Sequence, residues 1–468
     1  MRLAGATGHR SVALAAGQQA ALALAALGVG AVFALSAFVV GPLVLPAAMV
    51  FGALAAVTVA RPEVGIAAAF MMVPLANLGL TGNPPWLLGA VWSVFLVSLA
   101  FLQRRDGLHE QHLPRLSLGL LVYGLIAMVG AFTVANSLSD AQPILRSLLT
   151  GLLMFAAIAK IVRTRAQVQW VMAGIATGAL ITGTFAAWEY LTGASSTIGF
   201  LTSSGAVVGR ATAGFAQPNQ LAGFLIILIP FAIAGVAIGW RLKLLYAAAA
   251  TMAVIGVYVS FSRGALIGLA LIPLVFLGGR RVLVFAPLVL MVGFLITPGI
   301  LAERFGTLTA SGSEIASRLD IWKTAGSIWA ENPVTGVGPG QFPEAYAQAR
   351  VPGKEFLPAT LFEPPPHAHN LFLHVLAEGG LLALVALAAI LLVAFRTAFE
   401  LKRSEERWIR VLGRATLAAL AAFLVHNMFD VTLLEGTGIY FWALLGLISA
   451  LYSISSGRSV PTEQAEPA

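Results

Sequence analysis

Continuous apolar runs of about twenty residues, the length that crosses a hydrocarbon core, recur along this chain from near residue 19 to near residue 456. Candidate runs lie at 19–40, 43–60, 64–80, 86–103, 116–135, 145–162, 170–191, 219–239, 244–261, 264–279, 282–301, 369–395, 411–429 and 437–455. The chain cannot cover them with a water-facing surface. Only 10% of its 468 residues are charged and 59% are hydrophobic, against roughly 25% charged in a soluble domain. Mean hydropathy is +0.89. Lipid is the remaining solvent, and there every backbone polar group must be paired inside the protein. The runs are unbroken and lack the alternation of a membrane barrel. The expected fold is therefore all-α, a polytopic transmembrane bundle of about 12–14 helices forming a single domain over 1–456.

The cations orient the bundle. With the N-terminus on the cytoplasmic side, twenty of the 28 Lys and Arg residues fall inside and eight fall outside. Five of those eight share one long loop, where the positive-inside rule counts for little. Two outer segments stand out, at about 192–218 and 302–368. In the second, 313–330 reads as a helix with Glu314 in its first turn and Ile315, Leu319, Trp322 and Trp329 on one face. It stops at Asn332-Pro333 and a turn through Gly336, Gly338 and Gly340. Loops of this length in a compact bundle are commonly functional, and an ordered cap is expected. The polar tail, 457–468, reads as a flexible cytoplasmic end.

Several classes drop out. The net charge of +8 is spread in short clusters between apolar runs, without the basic face that nucleic acid requires. Cysteine is absent, so disulfides and thiolate metal sites are excluded. The N-terminal segment shows no cleavage-site pattern, so the first run is read as a retained helix. A transporter without covalent chemistry stays as the lesser alternative, since no strong internal repeat supports inverted repeats and charge gathers at the outer rim rather than mid-bilayer.

Seven residues at or near the outer face are candidates for chemistry. Arg210, in Gly209-Arg210-Ala211-Thr212-Ala213-Gly214, is either an interfacial arginine snorkelling to headgroups or an anion clamp beside close-approaching backbone. Arg263, in the tight hairpin Ser262-Arg263-Gly264, opposes the charge bias and needs an anionic partner, a lipid phosphate or a substrate. His367 and His369 stand where the long loop meets a helix, a suitable place for a general base near neutral pH. No carboxylate at a recognised ligand spacing accompanies them, so no metal is expected. His374 and Glu378, four apart on the following helix, either pair with each other or serve a function in the membrane. Arg318, with Asp320, lies either on a solvated face or against substrate.

Taken together, Gly209–Pro230, Ser262-Arg263-Gly264, Arg318–Trp322, Gly336–Phe342 and His367–Leu382 resemble the O-antigen ligase and polymerase superfamily over roughly residues 200–385. The ligase signature runs from His369-Asn370 over nine residues to Gly380 and then Leu381-Leu382; Ala383 stands where the signature has Gly, Thr or Tyr. The resemblance implies a glycosyltransferase at the periplasmic face of the bacterial inner membrane, embedded among membrane lipids and needing no metal, cofactor or nucleotide sugar. Its donor would be an undecaprenyl pyrophosphate-linked glycan, and its acceptor a hydroxyl of lipid A-core (a ligase) or of another glycan (a polymerase). The ligase is favoured on the rest of the signature. By position, Arg210 and Arg263 would hold the pyrophosphate and His369 would activate the acceptor hydroxyl, with Arg318 and His367 as further substrate contacts.

Overall fold

The computed structural model describes residues 44–77, 85–102, 114–194, 199–201, 207–277, 314–349, 367–433 and 438–457. The expected runs at 19–40 and 282–301, and the tail after 457, lie outside the described residues. The rest is an all-α bundle: α1 (Val44–Ala60), α2 (Pro62–Asn77), α3 (Pro85–Leu102), α4 (Pro114–Thr133), α5 (Leu138–Ile161) and α6 (Arg165–Thr192). There follow a hairpin of β1 (Gly199–Leu201) and β2 (Val207–Gly209), then α7 (Pro218–Ile238), α8 (Lys243–Val259) and α9 (Arg263–Leu277). The long loop supplies α10 (Glu314–Glu331) and α11 (Phe342–Ala349), and α12 (Leu371–Leu401), α13 (Arg407–Asn427) and α14 (Gly438–Ser455) complete the bundle. Among the described residues seven helices are long and apolar enough to cross a membrane, and shorter apolar helices accompany them.

Burial sorts these helices. The central α7 and α14 are mostly enclosed by protein, whereas α4 turns Leu118, Leu121, Leu125, Val129 and Phe132 outward. An outward leucine face on so charge-poor a chain is a lipid face. Small residues bring the helices together, as membrane packing favours. On α6, a Cβ at Gly174 or Gly178 would lie 2.4 Å from the Ala67 carbonyl oxygen or 2.3 Å from that of Phe70, both on α2. The opposite side of α6 meets α8 in the same way, at Gly183 against Met252.

The cap helix α10 forms where periodicity put it, but with a different face inward. Its buried residues are Ala325 and Ile328, with Ile321 beside them, packed on Phe342 and Tyr346 of α11 and Ala377 of α12. Leu319, on the apolar face read from the sequence, is exposed. The reason is tertiary: the facing wall of α11 and α12, rather than the largest side chains, selects the face.

α12 is broken. At Gly380 the backbone takes φ 62° and ψ −165°, outside helical space. The loop after α10 docks on the break. Val337 N donates to Ala377 O (3.0 Å), Gly338 N to Glu378 O (2.9 Å), and Leu381 N to Pro333 O (2.9 Å). Backbone groups released by the break are thus paired with protein, as non-helical chain at this depth requires. The same loop reaches the α4–α5 turn through Gln341, whose Oε1 accepts from Asn136 N at 3.2 Å.

Candidate active site

The site is organised by the turn between α13 and α14, residues 428–433, which sequence reasoning had not singled out. Asn427 folds the turn back: its Oδ1 accepts from Thr432 N (2.9 Å) and Thr432 Oγ1 (3.0 Å), while its Nδ2 donates to Phe423 O (2.9 Å). The helix-end carbonyls are then taken by other segments. Arg318 Nη1 donates to Phe429 O at 2.7 Å, and Asn370 Nδ2 donates to Met428 O at 3.1 Å. Arg318 therefore leaves the solvated face and clamps the cap onto this turn.

Asn370 also caps α12, its Oδ1 accepting from Phe372 N and Leu373 N. Just before it, His369 adopts φ 49° and its N–H donates to His367 Nδ1 at 3.3 Å. This bond assigns the His367 ring proton to Nε2, which lies 3.8 Å from Asp430 Oδ1. His369 Nδ1 is 3.6 Å from the same oxygen. Both contacts are longer than a hydrogen bond, and Asp430 Oδ1 accepts from Val431 N at 2.8 Å. Deeper in α12, His374 Nε2 lies 3.4 Å from Glu378 Oε2, so these two pair with each other. Glu378 also accepts from Phe342 N at 3.1 Å. The pair borders a largely apolar cavity of about 50 Å³, lined also by Tyr123, Leu148, Ala383 and Trp442.

Electrostatics fix two protonation states here. Burial pushes His367 down to about 3, against the attraction of Asp430 and with the help of His369, His374 and Arg318. Burial alone would raise the Asp430 carboxyl. The His369 ring against it, with His367 and His426, outweighs that and holds it below the ordinary carboxylate range. His367 is thus neutral and Asp430 ionised at neutral pH. An unfolded histidine binds its proton near pH 6.5, so the unfolded chain gains protons first on acidification and the native state loses stability. The apparent Tm in detergent should fall from pH 6.5 towards pH 3 more steeply in the native protein than in His367→Gln. Parallel slopes would exclude His367 as the source.

The second half of the site is built around Arg210. It is buried and pinned: Nε donates to Ser260 O at 2.8 Å, and Nη2 to Asn219 Oδ1 at 2.9 Å. A snorkelling arginine would not be held this way. Glu189, buried on α6, shapes the segment after Arg210 by accepting from Thr212 N (2.9 Å), Thr212 Oγ1 (3.1 Å) and Ala213 N (2.6 Å). Asn219 O in turn lies 3.2 Å from His426 Nε2. Arg263 opens α9, half-buried. Its neighbour Gly264 sits so close that a Cβ there would be 3.3 Å from both His426 Nδ1 and Phe429 Cβ. The end of α13 is therefore common to the segments of Arg210, Arg263, Arg318, His367 and His369.

Backbone strain marks the same place. Among the described residues the non-glycine positions with positive φ are Ala213, Phe261 and His369. One lies beside Arg210, one beside Arg263, and one is the candidate base itself. Such conformations cost on the order of 1–3 kcal/mol each and gather at functional sites.

Sequence reasoning missed Glu189, Asn219, His426 and Asp430. A signal was available for the last two: His426-Asn427-Met428-Phe429-Asp430 closes an otherwise apolar run. No carboxylate stands at a ligand spacing from the histidines in the sequence; one reaches them only through the fold. The fold carries Asp430 to them, and His367, His369 and Asp430 offer ligand atoms within 4.8 Å of one another.

The family model described as O-antigen ligase, Wzy_C, matches residues 247–388. This region belongs to the O-antigen ligase superfamily. The O-antigen ligase region contains Arg263, Arg318, His367 and His369, while Arg210 and Asp430 fall outside it and are joined to it by the fold. It supports a function of the O-antigen ligase or polymerase type, acting on glycan donors and acceptors in a multi-pass membrane protein. A comparison with curated proteins finds no significant match.

Proposed function

We propose that this protein transfers a glycan from a polyprenyl pyrophosphate carrier of the undecaprenyl type to an acceptor hydroxyl, at the periplasmic face of the inner membrane. The observation that carries the proposal is the convergence of the pinned Arg210, the Arg263 segment and the His369–Asp430 pair on one end of α13. Departure of a pyrophosphate builds negative charge, and preorganised guanidinium groups in a water-poor site stabilise it. Arg210 suits this because two of its donors are committed to Ser260 and Asn219, which fixes its plane. The helix N-termini of α7 and α9, at Pro218 and Arg263, add positive ends beside the same place.

On the acceptor side, the Asp430 carboxylate stands 3.6 Å from His369 Nδ1; tightening of this contact when substrate binds would orient the ring and leave Nε2 to take the hydroxyl proton, as a buried carboxylate does for an imidazole. The hydroxyl oxygen forms the new bond to the anomeric carbon, the bond to the pyrophosphate oxygen breaks, and the proton passes to His369. Chemistry of this kind needs no metal. Lipid A-core is the favoured acceptor, on the histidine–glycine signature. Ala383 in place of Gly, Thr or Tyr keeps extension of a carrier-linked glycan as the second reading.

Reconstitution with a carrier-linked glycan and alternative acceptors tests the proposal. Transfer to lipid A-core supports a ligase, and lengthened carrier-linked glycan supports a polymerase. Glycan moved across the bilayer without a new bond would overturn both. In the same assay Arg210→Ala and Arg263→Ala should each lower transfer by about 10²-fold or more, the scale of losing one transition-state donor, with protein still inserted. Full activity in either variant would remove the clamp.

A further inference from the structure

We propose that His367, His369 and Asp430 form a binding site for a divalent transition-metal cation of the zinc or cobalt class, and that occupancy inhibits the protein. Binding rests on the geometry of the three side chains. Inhibition rests in addition on the transfer reaction proposed above.

The donor set is chemically apt. Two imidazoles and a carboxylate suit zinc and its neighbours, whereas magnesium and calcium prefer all-oxygen shells. The ligand atoms are His367 Nε2, His369 Nδ1 and Asp430 Oδ1, with the two nitrogens 3.8 and 3.6 Å from the oxygen. Bonds of about 2.0–2.1 Å in a tetrahedron place ligand atoms roughly 3.3 Å apart, so modest ring rotations close the site and leave a fourth position open. His369 Nδ1 is buried and accepts or donates no hydrogen bond within 3.5 Å. Such an atom normally has a partner, and a cation would supply one.

Two features oppose binding and set its character. His367 Nε2 must give up its proton to Nδ1, which breaks the 3.3 Å bond from His369 N. Arg318, held at Phe429 O, adds a positive charge facing the cluster. Both argue for reversible rather than permanent occupancy. The consequence for catalysis follows from the atom used. A cation on His369 Nδ1 displaces the ring proton to Nε2, which then has no lone pair with which to take the hydroxyl proton.

The test uses the full chain purified in detergent without a polyhistidine tag and titrated with Co²⁺, followed by its visible absorption, then with Zn²⁺ in competition. One saturable site per chain is expected, unaffected by excess Mg²⁺. Asp430→Asn and His367→Ala should weaken it by about tenfold or more, the loss typical of altering a metal site, with thermal melts confirming that both variants fold. No saturable binding, or binding unchanged in folded variants, would overturn the site. In the transfer assay, Zn²⁺ at saturating concentration should inhibit, and EDTA should restore full activity. Zinc binding without inhibition would overturn the regulatory role and the assignment of His369 as base while leaving the site standing. An inactive protein that still binds zinc would count against the proposed transfer alone.

Discussion

Replacing His369 by alanine is expected to lower glycan transfer by about 10²- to 10⁴-fold, the usual contribution of a positioned general base, while carrier-linked donor still binds. The expectation separates two roles. Donor affinity rests on the Arg210 and Arg263 segments, whereas His369 acts on the acceptor proton, so the loss should fall on turnover rather than on donor binding. Alanine keeps the Cβ that makes φ 49° costly, so the strain at this position stays, and a thermal melt beside the assay checks that the variant is folded. Asp430→Asn should act in the same direction more weakly, because it leaves the base in place and removes the group that orients it. Near-native turnover in His369→Ala, with donor binding unchanged, would exclude it as the base and send the search to His374 or Glu378.

Gly380→Ala should have the largest structural effect. The backbone there, at φ 62° and ψ −165°, lies in a region open in practice only to glycine and costs on the order of 1–3 kcal/mol for another residue. A Cβ would also stand 2.2 Å from the Val334 carbonyl oxygen, which is part of the loop docked on the broken helix. Gly336 faces the same constraint from the loop side, where a Cβ would meet the Glu378 carbonyl carbon at 2.4 Å. The loop cannot stay seated, and with it goes the clamp from Arg318 to the α13–α14 turn. Expected results are a fall in apparent Tm of several degrees, poor recovery from the membrane and loss of transfer. An unchanged Tm would mean that the break in α12 is not needed to hold the cap.

The glycine of the His–Gly signature thus has a physical meaning that its spacing alone did not convey. From sequence, Gly380 was a small residue at a matching position in an apolar run. The structure makes it the point where that run stops being a helix. Arg318 changed in a comparable way: its helix was legible from periodicity, yet its guanidinium reaches Phe429 across 111 positions. Helical periodicity showed that the cap helix carries an apolar stripe through Leu319, but not which wall the helix would meet. Asp430 and Glu189 were passed over because a single acidic residue near the end of an apolar run looks like any interfacial charge. Only the partners reveal what it does.

Hydropathy is local and additive, and so the solvent, the all-α class and most helix bounds could be read from the chain: a run of apolar residues keeps its character whatever surrounds it. Charge bias, also a sum over short loops, put Arg210, Arg263, Arg318, His367 and His369 on one side of the membrane. Their assembly is a different kind of property. Arg210 meets Ser260 across 50 positions, and His426 meets Asn219 across 207. Such pairings depend on how helices with little to distinguish their apolar faces choose neighbours, and in lipid that choice rests on glycine contacts and buried hydrogen bonds. Only the packed bundle could decide that the turn after α13 would gather these side chains and deliver Asp430 to the two histidines.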